Sequence, residues 1–331
     1  MNSGVFSVKE PSSTLPGSEH FFLERLTDGV YVAIASETGA ATCNAGIVDL
    51  GDRTLIFDPF LTPKAAKDLP TVAARLTNRP IAYVVNSHYH NDHIRGNQVF
   101  AADTEIISTT LTRDLIATKG ADEIRWDADY APKRLPVFEE LLRTEIDADM
   151  RKDTAFWVAY YRSIIESLPT LELRLPNQTF ERRMVFHGSH RTAEVVSFGG
   201  GHTESDAILH LPVDKITFLG DLLFIRYHPY LADGDPQEWL RNLEQIELLG
   251  LKTLVPGHGP VGAAGDLAVM RQYIIELEAM AAEVVKVGGS AQKAAELSIP
   301  TPFETWRFAR FFPTNMQFLH ERISKARGMM S

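Results

Sequence analysis

The chain has 331 residues, enough to bury a large core as one large domain or two small ones. Hydrophobic residues make up 44% and charged residues 23%, the composition of an ordinary globular protein. The formal net charge of −10 argues against a nucleic-acid binder, which would carry a basic stripe, and a single cysteine, Cys43, excludes an intrachain disulfide.

Residues Met1 to about Pro16 are polar and contain Ser, Pro and Gly, so 1–18 are expected to form a flexible arm. No charged segment followed by an apolar one stands at the start, and no apolar run is long enough to span a membrane. The expectation is a cytoplasmic protein without a membrane partner, with 19–331 as one domain. Val30–Ile34 reads as a first strand. Ala45–Leu50 and Thr54–Phe57 read as a hairpin, because Gly51-Asp52 separates two apolar runs, and Asp58 ends its second strand. Thr62-Pro63 opens a helix through about Leu76, with proline in its first turn.

The apolar run Ile81–Val85 reads as a buried strand that breaks into Asn86-Ser87-His88-Tyr89-His90-Asn91-Asp92-His93. His88 and His90 are two apart, so in extended backbone they point to the same side, whereas Asp92 and His93 can face another way. Imidazole and carboxylate are ligands that zinc, iron and manganese accept. One ion would struggle to use all four groups from so tight a segment, so the loop reads as half of a two-metal site.

Residues Thr109–Leu175 are charged and dotted with aromatics, among them Trp126, Trp157 and Tyr161. Apolar periodicity at Phe138–Leu142 and Ala155–Leu168 predicts helices joined by a proline-rich bend at Pro132 and Pro136. The segment, about 109–176, reads as a helical insertion. Aromatics at helical spacing are read first as the insertion's own small core, with substrate contact by Trp126, Trp157 or Tyr161, or a homodimer contact, as alternatives.

Strands resume over Thr179–Phe186 and Glu194–Phe198. His202 follows Gly199-Gly200-Gly201, small residues that let backbone pass close to a metal. Asp206 either hydrogen-bonds a ligand histidine or caps the following turn. Ala207–Leu211 and Ile216–Leu219 read as another hairpin that ends in Asp221, placed as Asp58 is in the first half. The loop Phe224–Asp235 is where substrate-binding groups are expected, with Phe224, Tyr227 and His228 as candidates. Asp235-Pro236 opens a helix with Leu240, Leu243, Ile246 and Leu249 on its apolar face. Thr253–Val255 is a strand that delivers His258 in a Gly257-His258-Gly259 turn. The rest, about 266–331, is expected to be mainly helical, its aromatic run from Trp306 to Phe318 serving as core or as a subunit interface.

His88-x-His90-x-Asp92-His93, then His202, Asp221 and His258, stand in that order between about Val30 and Gly262. In this the chain resembles the metallo-β-lactamase superfamily. The resemblance implies an α/β or α+β fold, a four-layer αβ/βα sandwich of two mixed sheets with helices outside and metals at one edge. It implies that His88, His90 and His202 hold one ion, that Asp92, His93 and His258 hold the other, and that Asp221 bridges. Asp58 would support the site from behind, or else be a strand-end turn residue. The expected cofactor is two zinc ions per chain, with iron or manganese as alternatives. A hydroxide between two such ions attacks the substrate, and Asp92 carries the proton to the leaving group. The function implied is hydrolysis of a small ester, lactone, thioester or amide. The alternatives are a mononuclear-iron, persulfide-dioxygenase-like redox enzyme and a β-lactam hydrolase. Lactonases of the superfamily have a tyrosine three residues after the bridging aspartate, where this chain has Phe224. The expected partner is a small-molecule substrate.

Overall fold

In the computed structural model, which describes residues 15–328, alternate strand residues feed two different cores. Most of the expected arm 1–18 lies outside the described residues. Val30 and Val32 face one core while Tyr31 and Ala33 face another, and Leu55 and Phe57 part from Ile56 in the same way. That period of two is the geometry of a strand buried on both faces.

The first sheet has seven strands in sequence order: β1 (Phe21–Thr27), β2 (Val30–Ala35), β3 (Ala45–Asp49), β4 (Thr54–Phe57), β5 (Ile81–Val85), β6 (Glu105–Thr109) and β7 (Gln178–Phe180). The first four are antiparallel neighbours, and β4 to β7 pair in parallel. The second sheet holds β8 (Arg183–His187), β9 (Thr192–Gly199), β10 (Asp206–Leu211), β11 (Ile216–Phe218) and β12 (Thr253–Val255), of which only β11 and β12 pair in parallel.

The core between the sheets takes Val48, Phe57 and Val85 from one and Val195, Leu209 and Phe218 from the other. Outside the first sheet lie α1 (Pro63–Ala66) and α2 (Asp68–Thr77), packed through Leu69 and Val72. Outside the second lie α7 (Pro236–Glu247), α8 (Gly265–Lys286), α9 (Ala291–Ala295) and α10 (Phe311–Gly328), packed through Trp239, Tyr273, Leu277 and Leu319. Helix, sheet, sheet, helix is the expected four-layer order.

Between β5 and β7 stand α3 (Asn91–Ile94), α4 (Thr110–Leu115), α5 (Ala121–Thr144) and α6 (Ala148–Ser167). Here the structure corrects the sequence reading. Pro132 and Pro136 do not bend the insertion but lie inside α5. The joint falls at Glu145–Asp147, where Asp147 accepts the amides of Asp149 and Met150 to start α6. An interior proline costs a helix about 3 kcal/mol, and here burial of Ala131 and Phe138 against Trp157 and Tyr161 holds the helix together. A second correction concerns Thr179–Phe186, which is two strands in different sheets, broken at Glu181-Arg182.

The carboxyl ends of β4, β5, β11 and β12 lie along one edge of the sandwich, which suits a functional site because loops there are free of ladder pairing. Asn44, just before β3, ties this edge together. Its backbone N–H donates to Gly257 O at 2.7 Å and its side-chain amide to Pro256 O at 3.0 Å and Gly259 O at 2.8 Å. No helix among the described residues is long and apolar enough to cross a membrane.

Candidate metal centre

The loop after β5 doubles back because the buried Asn86 amide donates to His93 O at 2.9 Å and exchanges hydrogen bonds with the Asn97 amide. His90, in extended backbone, precedes α3, and Asp92 and His93 ride on the single turn of that helix. Each imidazole is then oriented through one nitrogen. His88 Nδ1 is 2.9 Å from Ser87 Oγ, and His93 Nδ1 is 2.9 Å from Asp58 Oδ2. Asp58 is itself fixed, accepting the Ser87 amide on Oδ1 at 2.8 Å. His90 Nε2 lies 3.0 Å from Asp233 Oδ2, so its Nδ1 faces inward.

Asp221, at the end of β11, stands where these groups converge. Its Oδ1 is 3.2 Å from His93 Nε2. Its Oδ2 is 3.2 Å from His202 Nε2, 3.4 Å from His258 Nε2 and 3.8 Å from His88 Nε2. Asp92 Oδ2 adds contacts of 3.4 Å to His258 Nε2 and 3.6 Å to His93 Nε2. His202 Nε2 and His90 Nδ1 are 2.9 Å apart. One ligand group is therefore His88, His90, His202 and Asp221, and a second is His93, Asp221 and His258 with Asp92 alongside. Gly257 makes room for this. A Cβ there would stand 1.9 Å from Asp221 Oδ1.

The residues present fit metal ions. His88 Nε2, His93 Nε2 and Asp221 Oδ1 are buried, aimed into the cluster and without a hydrogen-bond partner. Buried polar atoms are rarely left so. The separations also suit shared ions, since tetrahedral ligands at the usual zinc–nitrogen bond length lie about 3.3 Å apart.

A family model described as the metallo-beta-lactamase superfamily matches residues 38–258. The chain belongs to that superfamily. Its fold is shared by solved structures of low identity. A metallo-beta-lactamase from Pontibacter korlensis is 19% identical with a TM-score of 0.57, the match covering 77% of this chain and 99% of that one. A metallo beta lactamase from Hirschia baltica is 15% identical with a TM-score of 0.55, over 77% and 97% of the two chains. At such identities the likeness concerns the fold.

Burial dominates the electrostatics of this superfamily site. It pulls His88 well below the ordinary histidine value, helped by charge on His93, and it lowers His202 as well. Burial alone would raise Asp221. The fields of His258 and His93, with His202 and His258 in contact, hold it well below the carboxylate range instead. Asp233, also raised by burial, is brought down to about 2 by its bond to His90. The centre thus sets neutral His88 and His202 beside an ionised Asp221. Burial would lower His93 and His90 too, but Cys43, Asp221 and Asp92 raise His93 well above the ordinary histidine value and Asp233 raises His90, so metal binding would displace their protons.

All seven residues expected as ligands meet at this centre, and Asp58 holds His93. Asp206 takes neither of its two expected roles, since the turn it holds is the one before it. It bonds no ligand histidine but accepts the Thr203 amide at 3.1 Å and hydroxyl at 2.9 Å, which fastens the turn beside His202. The glycines before His202 serve that turn too, since a Cβ on Gly200 would meet Thr203 O at 2.6 Å. Phe224 stacks on His258 at 5.0 Å and lines the cavity above the centre, as do Trp126 and Trp157. The insertion therefore walls the site as well as forming its own core. Tyr227 is not in that wall; it packs on Phe308 at 4.8 Å beside a neighbouring cleft. His228 corrects the sequence reading outright. It is fully buried among Tyr273, Trp306 and Phe312, its Nδ1 is 3.0 Å from the Tyr273 hydroxyl, and burial lowers it to about 4.

Sequence reasoning missed four groups here. Asp233 orients His90 from 143 residues away, and no local signal marks it. Glu123 on α5 lines the cavity with a buried oxygen and is pushed up to about 7 by burial. Arg310, just before α10, also lines it. Cys43 lies beside Asp92 and His93, where its thiol donates to Asp92 O at 2.8 Å and burial pushes it up to about 12.

Proposed function

We propose that the protein is a metal-dependent hydrolase that carries two zinc ions and cleaves a small ester, lactone, thioester or amide. The observation that carries this reading is the position of Asp221, with one oxygen toward His93 and the other toward His88, His202 and His258. His88, His90 and His202 would hold the first ion, and Asp92, His93 and His258 the second, with Asp221 common to both. Five imidazoles and two carboxylates form a donor set that zinc favours. Bound there, zinc would supply Lewis acidity, bringing the acidity of a water toward neutral pH and polarising the scissile carbonyl.

The remaining work falls to the chain. Asp92 lines the cavity with its carboxylate against His258 and His93, placed to take the proton of the attacking water and return it to the leaving atom. His258 is held in turn by the stacked ring of Phe224. A cavity of about 340 Å³ is of a size for a small molecule. Its aromatic walls, from Trp126 and Trp157 on one side to Phe308 and Phe311 on the other, exclude water from the reacting carbonyl. Tyr230 lines the same cavity and is raised above its ordinary value by burial, so it remains a phenol able to donate to a developing oxyanion.

The test is metal content per chain of protein purified without added metal or chelator, followed by a screen of esters, lactones, thioesters and β-lactams. About two zinc ions per chain, with turnover of at least one acyl substrate that chelation abolishes, is the expected result. One iron with little zinc would refute it and point to redox chemistry.

A further inference from the structure

Three arginines buried in full or in part are paired with acids. Arg95 bonds Asp127, Arg307 bonds Asp153 at 3.0 Å and Glu37 at 2.9 Å, and Arg322 bonds Asp235 at 2.6 Å. Arg310 has no carboxylate partner among the described residues. Its one polar contact is Nη1 donating to the Tyr161 hydroxyl at 3.0 Å. The guanidinium lies 4.4 Å over the Trp157 ring and within 5.1 Å of Phe138. A guanidinium has five N–H donors, so most of them are unused.

Packing on rings would explain a surface arginine of this kind, since a guanidinium is attracted to aromatic faces. Arg310 differs in where it stands. It lines the same cavity as His258 and Asp92. Two ring contacts separate it from the metal centre. Trp157 is 4.9 Å from Phe308, and Phe308 is 5.8 Å from His258. The acids of the cavity do not neutralise it. Asp92 and Asp221 belong to the ligand cluster, Asp233 bonds His90, and Glu123 lies in the field of Arg95. The cavity is therefore acidic and metal-binding at one end and positive at the other, with an aromatic wall between.

We propose that the substrate carries a carboxylate at the end remote from the scissile acyl group, and that Arg310 binds it. This rests on the hydrolase reading above. The planar fork of a guanidinium matches a carboxylate in two parallel hydrogen bonds. A phosphate dianion fits less well, because one cation would face two charges in a cavity that already holds Asp233 and Glu123. The body of the substrate lies along Phe308 and Trp157 and is flat or apolar. Arg310 is thus a specificity-determining residue rather than a catalytic one.

The experiment compares 4-nitrophenyl hydrogen adipate with its neutral counterpart, 4-nitrophenyl 5-carbamoylpentanoate, on wild type, Arg310→Met and Arg310→Lys as purified. The wild type should favour the acid in kcat/KM by about 10- to 100-fold, chiefly through KM, as a hydrogen bond to a charged group predicts. The ratio should collapse toward one in Arg310→Met and be partly restored in Arg310→Lys, which keeps the charge and loses the fork. Calorimetry with 4-phenylbutyrate and 4-phenylbutyramide gives a readout independent of turnover. The acid should lose its advantage over the amide in Arg310→Met. A wild type indifferent to the charge, or a preference that survives in Arg310→Met, overturns the proposal. Failure to cleave either ester speaks against the hydrolase reading, while the calorimetric pair still decides the anion site. Far-UV circular dichroism and Arg310→Lys separate loss of binding from loss of fold.

Discussion

Replacing Gly257 with alanine tests the central place of Asp221 without touching a ligand. The added Cβ would stand 1.9 Å from Asp221 Oδ1, and real Cβ contacts essentially never fall below 3.0 Å, so one side must yield by at least 1.1 Å (3.0 less 1.9). The backbone offers little relief, because the Cβ also meets Gly220 carbonyl carbon at 2.9 Å. Gly257 is not in a left-handed conformation, so alanine suits its backbone dihedrals, and the Asp221 oxygen is the nearest obstacle. The oxygen displaced is the one 3.2 Å from His93, not the one that faces His88, His202 and His258. The variant should therefore keep the first ion and weaken the second. A misplacement of about 1 Å costs on the order of 100-fold in rate, or about 2.7 kcal/mol of barrier. Metal per chain after dialysis, by mass spectrometry, and kcat/KM on the best substrate are the measurements, with circular dichroism to show an intact fold. Two ions held as in wild type, with near-wild-type turnover, would refute the bridging assignment.

Two further substitutions probe the supports of the centre. Asp58→Ala leaves both His93 Nδ1 and the Ser87 amide without their acceptor. Each orphaned buried donor costs about 1–3 kcal/mol, and loss of such a partner typically weakens metal binding about 10- to 100-fold. Urea denaturation and metal competition read the two effects separately, and unchanged metal affinity would count against Asp58 as the orienting group. Glu123, raised from the usual 4.5 to about 7 by burial, holds its proton more tightly in the folded chain than in the unfolded one. Its contribution to stability is full below about 4.5 and is lost as pH rises through about 7. Glu123→Gln cannot ionise, so it should match wild type at pH 4 and exceed it by about 1–3 kcal/mol at pH 8. Parallel melting curves at the two pH values would show no such divergence if the carboxyl were solvated.

The ligands were legible because each sits at the end of an apolar run or in a glycine turn, and strand ends deliver side chains to one edge. The hairpin at Gly51-Asp52 was legible for a related reason, since turn chemistry is local. What failed was non-local. Pro132 and Pro136 carry a strong breaking signal, yet burial of Phe138 and Ala131 against α6 overrides it. Thr179–Phe186 alternates as strand should, but alternation does not say which sheet a strand joins, and the chain changes sheets at Glu181-Arg182. His228 looked functional as a polar residue in a loop near Asp221, yet the structure turns it into a core of aromatics beneath α8 and α10. Asp233 and Arg310 could not be found from sequence, because their partners, His90 and Tyr161, lie 143 and 149 residues away.

Asn44 has a consequence for how the protein comes to be loaded. It holds the turn that presents His258, across sequence separations of 212 and 215 residues. At the usual pace of synthesis, roughly 10–40 seconds pass between the making of Asn44 and of that turn. During that interval the emerging chain already bears His88, His90, Asp92 and His93, but no complete cage. The histidine-rich loop is then an open chelator with little power to choose among ions. Any choice among ions would then be left to the folded chain, once the last turn has docked on the first sheet.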